Sequence, residues 1–127
     1  VGVDAATDVT GYGLIGHLLQ MLDGEVSAEL SFSDIPVLKE AIVLARDGVL
    51  SGGSKRNIES MEDLVDVNGL DYAERAVLFD AQTSGGLLLA VDGARVDALM
   101  DALARRGVRG ARIGRLTAGD GRIRVAA

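Results

Sequence analysis

Two periodicities alternate along this chain, and that alternation restricts it to a fold mixing helices with strands. Leu14, Ile15, Leu18, Leu19 and Leu22 recur at helical spacing, with Gly24 placed for a left-handed helix end. Ala28, Leu30 and Phe32 then alternate with Ser27, Glu29 and Ser31, the period-two signature of a half-buried strand. Pro36 suits the first turn of a second helix, whose apolar positions Val37, Leu38, Ala41, Ile42 and Leu44 run up to Gly48. A short helix over 60–65, another over 72–79 and a short buried-type strand over 87–91 follow. Val96, Leu99, Met100 and Leu103 form an i, i+3, i+4, i+7 stripe expected in the core, with Arg105 and Arg106 at the helix's negative end before Gly107. Segments 113–116 and 122–125, joined through Gly119, Asp120 and Gly121, predict a terminal antiparallel hairpin. The expected class is α+β, with helices packed on one face of a mostly antiparallel sheet.

At 127 residues and 48% hydrophobic content, the chain has material for one domain, 1–127, around a single core. A formal charge of -6 repels phosphate backbones and anionic lipid, and 3% aromatics leave little to stack on bases, so nucleic-acid and membrane partners are disfavoured. Without cysteine there is no disulfide, thiolate metal site or catalytic thiol within this chain. The longest apolar run, near 85–91, is far too short to span a bilayer. A soluble protein is expected, and a cytoplasmic location is compatible. The chain opens at Val1 directly into a dense motif, which suggests a piece of something longer.

Three glycine-rich stretches are candidates for chemistry. In the first, Thr7, Asp8 and Thr10 supply oxygens while Gly11 and Gly13 permit close backbone approach just before a helix. A carboxylate there can hold magnesium bridged to phosphate oxygens, or Asp8 or Thr10 can cap the helix; spacing alone favours capping. The second, Ser51 to Asn57, joins glycines and serines to Lys55 and Arg56 and reads as a mobile loop. It could close over phosphates, although a solvated surface loop is the commoner use of such composition. The third, Gln82-Thr83-Ser84-Gly85-Gly86, either cradles an anion or makes a tight packing turn, and the sequence balances the two. His17, the single histidine, is expected to be hydrogen-bonded and structural, since no second histidine exists to build a metal cluster.

Taken together and in order, ATDVTGYGLIGHL, GGSKRN and LFDAQTSGGLLLAV resemble the signature segments of the selenophosphate synthetase (selenide, water dikinase) family. Tyr12 stands where that family usually has phenylalanine, Ala81 where it has proline, and Ser54 where threonine is common. The resemblance implies the C-terminal domain of the aminoimidazole ribonucleotide synthetase-like superfamily, with an N-terminal ATP-binding domain lying outside this chain. It implies an enzyme that makes selenophosphate, AMP and phosphate from ATP, selenide and water with magnesium, as a homodimer when complete. Asp8 matches a metal-ligand aspartate of that family, which reverses the preference for capping. Gly52, Gly53, Ser54, Asn57, Thr83, Ser84 and Gly85 become candidate phosphate or nucleotide contacts. The chain alone holds no catalytic residue on this view and is expected to be inactive. A related ATP-dependent enzyme of the same superfamily, or a non-catalytic dimerisation or nucleotide-sensing module, are the alternatives.

Overall fold

A computed structural model describes Val1–Ala127. Its strands are β1 (Ala5–Asp8), β2 (Val26–Ser31), β3 (Val65–Asn68), β4 (Leu87–Ala90), β5 (Gly114–Ala118) and β6 (Ile123–Ala126). Its α-helices are α1 (Gly13–Met21), α2 (Lys39–Arg46), α3 (Gly52–Met61), α4 (Tyr72–Leu78) and α5 (Val96–Arg105). A four-stranded sheet has the order β3-β6-β2-β5, and β1 pairs with β4 in a separate antiparallel ribbon. Ala28, Leu30, Val65, Ile123 and Val125 on the larger sheet meet Ile15 and Leu18 of α1, Leu78 of α4 and the adjoining Phe79 in the main core. The opposite face carries Arg115, Glu29, Arg124 and Asp66 in one cross-strand row. This is the expected α+β class.

Strand directions depart from the expected mostly antiparallel sheet. Both β2 and β3 run parallel to β6, and only β5 is antiparallel within the larger sheet. The cause is β2, which lies between β5 and β6, so these two strands form no hairpin. Their connection crosses the start of β2: Gly119 N–H donates to Glu25 O at 2.9 Å and Asp120 N–H to Ser27 Oγ at 2.9 Å. The Ser27 hydroxyl donates back to Asp120 Oδ1 at 3.0 Å, so this fully buried serine is satisfied by the turn that passes over it.

Several boundaries move for local reasons. The second helix starts at Lys39, because residues 35–38 offer no capping side chain and Leu38 is extended and exposed. Gly24 is not left-handed; α1 ends through an extended Leu22, whereas Gly48 and Gly107 do have positive φ after α2 and α5. The α5 stripe is half-buried, with no fully buried residue, because Met100 and Leu103 rest on Gly110 in the following loop and not in the main core. β4 is likewise only half-buried, and Leu87 is exposed.

The largest departure is at 51–57, where a helix replaces the expected mobile loop. Ser51 caps α3 by accepting Ser54 N–H at 3.0 Å, and the two glycines occupy the first turn, where a cap offsets their poor propensity. The helix expected over 60–65 is a 3₁₀ turn, Glu62–Leu64, running into β3.

Three aspartates tie acid stability to this architecture. Asp66 is held below the ordinary carboxylate range by the Arg122 hydrogen bond, Asp71 by the Glu74 N–H and then by Arg46, and Asp120 by the Ser27 hydroxyl. A carboxyl held low in the fold stabilises it above the unfolded-chain pKa, and that contribution is lost as pH falls through the folded value. Urea midpoints are therefore expected to decline below about pH 4. Asp71→Asn keeps the cap but not the charge paired with Arg46, and its decline with acid should be shallower.

Candidate functional site

The first stretch leaves β1 at Asp8 and turns into α1 at Gly13, whose φ is +69°. A Cβ on Gly13 would stand 2.8 Å from Asp80 O and from Phe79 C, so the absent side chain lets this turn lie against the end of α4. His17, buried in α1, accepts Tyr12 N–H on Nε2 at 3.4 Å. The Thr10 hydroxyl lies 3.1 Å from the same nitrogen. The histidine is hydrogen-bonded within the turn, as expected.

Neither Asp8 nor Thr10 caps α1: the N-cap is Tyr12, without a side-chain hydrogen bond. That removes the role which spacing favoured. Asp8 ends β1 opposite Leu87, is exposed, and has no ion pair at its carboxylate.

Main-chain bonds draw the third stretch alongside the first. Val9 N–H donates to Gly86 O and Gly85 N–H to Val9 O, both at 2.8 Å, and Gln82 N–H donates to Thr10 O at 3.1 Å. Since the Gly85 amide is already used, it is not free for an anion; a Cβ there would stand 2.8 Å from Val9 O. Thr83 and Ser84 are exposed, and their amides and hydroxyls bond to nothing within the chain. They lie just before Leu87, the register partner of Asp8.

The second stretch supports both others from α3. Asn57 Nδ2 donates to Gly11 O at 2.9 Å and to Phe79 O at 3.0 Å. The Ser54 hydroxyl donates to Asp80 Oδ1 at 2.7 Å and accepts Ala81 N–H at 3.0 Å. A proline at position 81 has no N–H to give. Ser54 and Asn57 are thus buried with inward-facing polar atoms, while Gly52 is exposed and Gly53 half-buried beside Ala81. Lys55 and Arg56 are exposed on the first two turns of α3.

Sequence reasoning passes over Asp80 and the Phe79 carbonyl, yet these join the second stretch to the third. The signal was the i, i+3 spacing of Ser54 and Asn57, which has meaning only once the segment is helical. No group of three or more His, Asp or Glu side chains gathers anywhere in the chain to enclose a metal. The arrangement is an open rim, with one unpaired carboxylate ending β1 and free hydroxyls and amides in the turn that leads into its partner strand β4.

The chain matches the family described as AIR synthase related protein, C-terminal domain, over residues 1–126. It is 43% identical over 127 residues to a selenide, water dikinase of Carboxydothermus hydrogenoformans, covering 98% of this chain and 37% of that protein. A selenide, water dikinase of Aeromonas hydrophila is 44% identical, with 94% of this chain and 34% of that one covered. One from Myxococcus xanthus is also 44% identical, at 92% and 34%. The chain therefore spans little more than a third of the length of these relatives. The crystal structure of a thiamine-monophosphate kinase from Stenotrophomonas maltophilia superposes with a TM-score of 0.56 at 20% identity, over 97% of this chain and 31% of that one, a likeness of fold. With nearly its whole length matched, the chain belongs to the family of AIR synthase related protein C-terminal domains.

Proposed function

We propose that this chain is the C-terminal domain of a selenide, water dikinase, an enzyme converting ATP, selenide and water to selenophosphate, AMP and phosphate. The observation that carries its role is the exposed, unpaired Asp8 at the end of β1, with the free donors of Thr83 and Ser84 in the turn that leads into its partner strand β4. Phosphoryl transfer spreads negative charge over phosphate oxygens, so a site serving it needs fixed donors and a place for a cation. The donor set here is all hard oxygen with a single carboxylate, which fits magnesium shared with substrate phosphates. When bound, magnesium would neutralise charge on those phosphates.

The chain's own contribution is binding and orientation. Asp8 would ligate the ion, with the remaining ligands supplied by an N-terminal ATP-binding domain and by substrate. Thr83 and Ser84 would donate to phosphate oxygens, Gly85 would keep that turn close to Val9, and Gly52 and Gly53 would leave room beside it. Ser54 and Asn57 would act from beneath the rim. ATP as substrate implies a cytoplasmic setting, and a homodimer is part of the same proposal. No helix is long and apolar enough to cross a membrane. The alternative of a related superfamily enzyme is not favoured, because the similarity to dikinases runs at 43–44% identity while that to the thiamine-monophosphate kinase is one of fold.

The test is the full-length protein incubated with ATP and magnesium, with and without selenide. AMP should form in a selenide-dependent manner, at about 1 per second or slower, in the lower part of the usual range for enzymes. ATP turnover indifferent to selenide, or none, would reject the proposal. The 127-residue chain by itself should produce no AMP under the same conditions.

A further inference from the structure

Only one side chain donates to both segments of the rim. Asn57, 7% exposed, places one Nδ2 hydrogen on Gly11 O at 2.9 Å and the other on Phe79 O at 3.0 Å. Gly11 lies in the turn that follows Asp8, and Phe79 leads into the turn that presents Thr83 and Ser84. We infer that Asn57 is a positioning residue that fixes the separation between the Asp8 carboxylate and the Thr83–Ser84 donors, an assignment that rests on the dikinase reading of that rim.

The chemistry of the bridge is specific. Two carbonyl oxygens converge on one point, and each needs a hydrogen. A carboxamide gives two donors from one neutral, short, planar group; a carboxylate gives none and a hydroxyl gives one. Ser54, one turn earlier on the same face of α3, pins the second segment independently through Asp80 and Ala81. The helix therefore acts as a strut beneath both halves. Without the Asn57 bridge, the halves are joined by the β1–β4 pairing and, at the turns themselves, by the main-chain bonds at Val9, Gln82 and Gly85. On the 82–86 side those bonds involve the exposed Gly85 and Gly86, where local opening is easiest.

Asn57→Asp keeps the shape and removes both donors. In the full-length protein, peptides spanning 9–13 and 82–86 should exchange amide hydrogen about tenfold faster or more, while peptides from β6 keep their wild-type rates. The kcat for selenide-dependent AMP formation should fall about tenfold to a hundredfold, with KM for ATP within about threefold of wild type, since misplacement of order 1 Å weakens the reacting geometry more than substrate binding. A merely structural role would reduce the folded fraction and leave kcat per folded site unchanged. Ser54→Ala is the second variant, for use if Asn57→Asp does not fold, and should loosen 82–86 while sparing 9–13. Unchanged exchange at 9–13 and 82–86 in Asn57→Asp would overturn the inference, as would looser exchange with undiminished kcat. A wild-type protein without selenide-dependent turnover would instead overturn the dikinase reading, and the exchange result would still decide the bridge.

Discussion

Asp8→Asn is expected to leave the fold intact and to remove most selenide-dependent ATP turnover from the full-length protein. The stability half follows from placement. Asp8 is exposed at the end of β1, caps no helix and has no ion pair, and its strand is held by main-chain pairing to β4, which a side-chain change does not touch. A surface substitution of this kind costs within about 0.5 kcal/mol. The activity half follows from charge. Asparagine keeps the size and one oxygen but is a much weaker ligand for a hard dication than a carboxylate, and the chain gathers no acidic cluster that could compensate. A loss of about a hundredfold or more in kcat/KM is expected, equivalent to about 2.7 kcal/mol of transition-state stabilisation. Thermal unfolding and AMP production, measured on the same preparation, separate the two halves. Undiminished activity would remove Asp8 from the metal, and unfolding with lost activity would make it structural.

Gly13→Ala is expected to have the largest effect on stability. Alanine at a φ of +69° costs about 1–2 kcal/mol for the left-handed backbone alone. Its Cβ would also stand 2.8 Å from Asp80 O and Phe79 C, which are main-chain atoms unable to swing aside as a side-chain tip can. Relief requires the opening turn to lift away from the end of α4, and this pulls on the Gly11 and Phe79 carbonyls that Asn57 bridges. A total near 3 kcal/mol is expected, a fall of about 10 °C in Tm for a domain of this size. Gly11→Ala is the control. Nothing lies within 4 Å of a Cβ there and its φ is not positive, so its unfolding midpoint should stay within about 0.5 kcal/mol of wild type. Equal midpoints for the two variants would show that Gly13 is not a point of close approach.

Parts of the fold were legible because the relevant physics is local. Five apolar residues at helical spacing identify α1, and the alternation through Ala28 and Leu30 identifies β2. α3 was not legible, since Gly52 and Gly53 argue against a helix and no apolar period marks one. Its helicity comes from the Ser51 cap and from the burial of Ser54 and Asn57 against segments more than twenty residues away in sequence. The order β3-β6-β2-β5 is set by pairings between distant strands, and the Gly119–Asp120–Gly121 sequence carries the same turn signal whether or not another strand lies between the two it joins. At the site, each of the three glycine-rich stretches stood out by composition. Their meeting depends on main-chain bonds such as Val9 to Gly86, which any residue types with compatible backbone angles can make.

The turn that passes over β2 also bears on how the polypeptide reaches this state. Ser27 and its partner Asp120 are 93 positions apart, and β3 has β6 as its sole neighbour in the sheet. During synthesis, β2 and β3 must wait without sheet partners until β5 and β6, far downstream of both, have been made. Closing so long a loop before any pairing energy is returned slows folding, as it does in other topologies of high contact order. In that interval the edges of β2 and β3 are open to other chains, so the nascent protein is most vulnerable to aggregation just before β5 and β6 emerge.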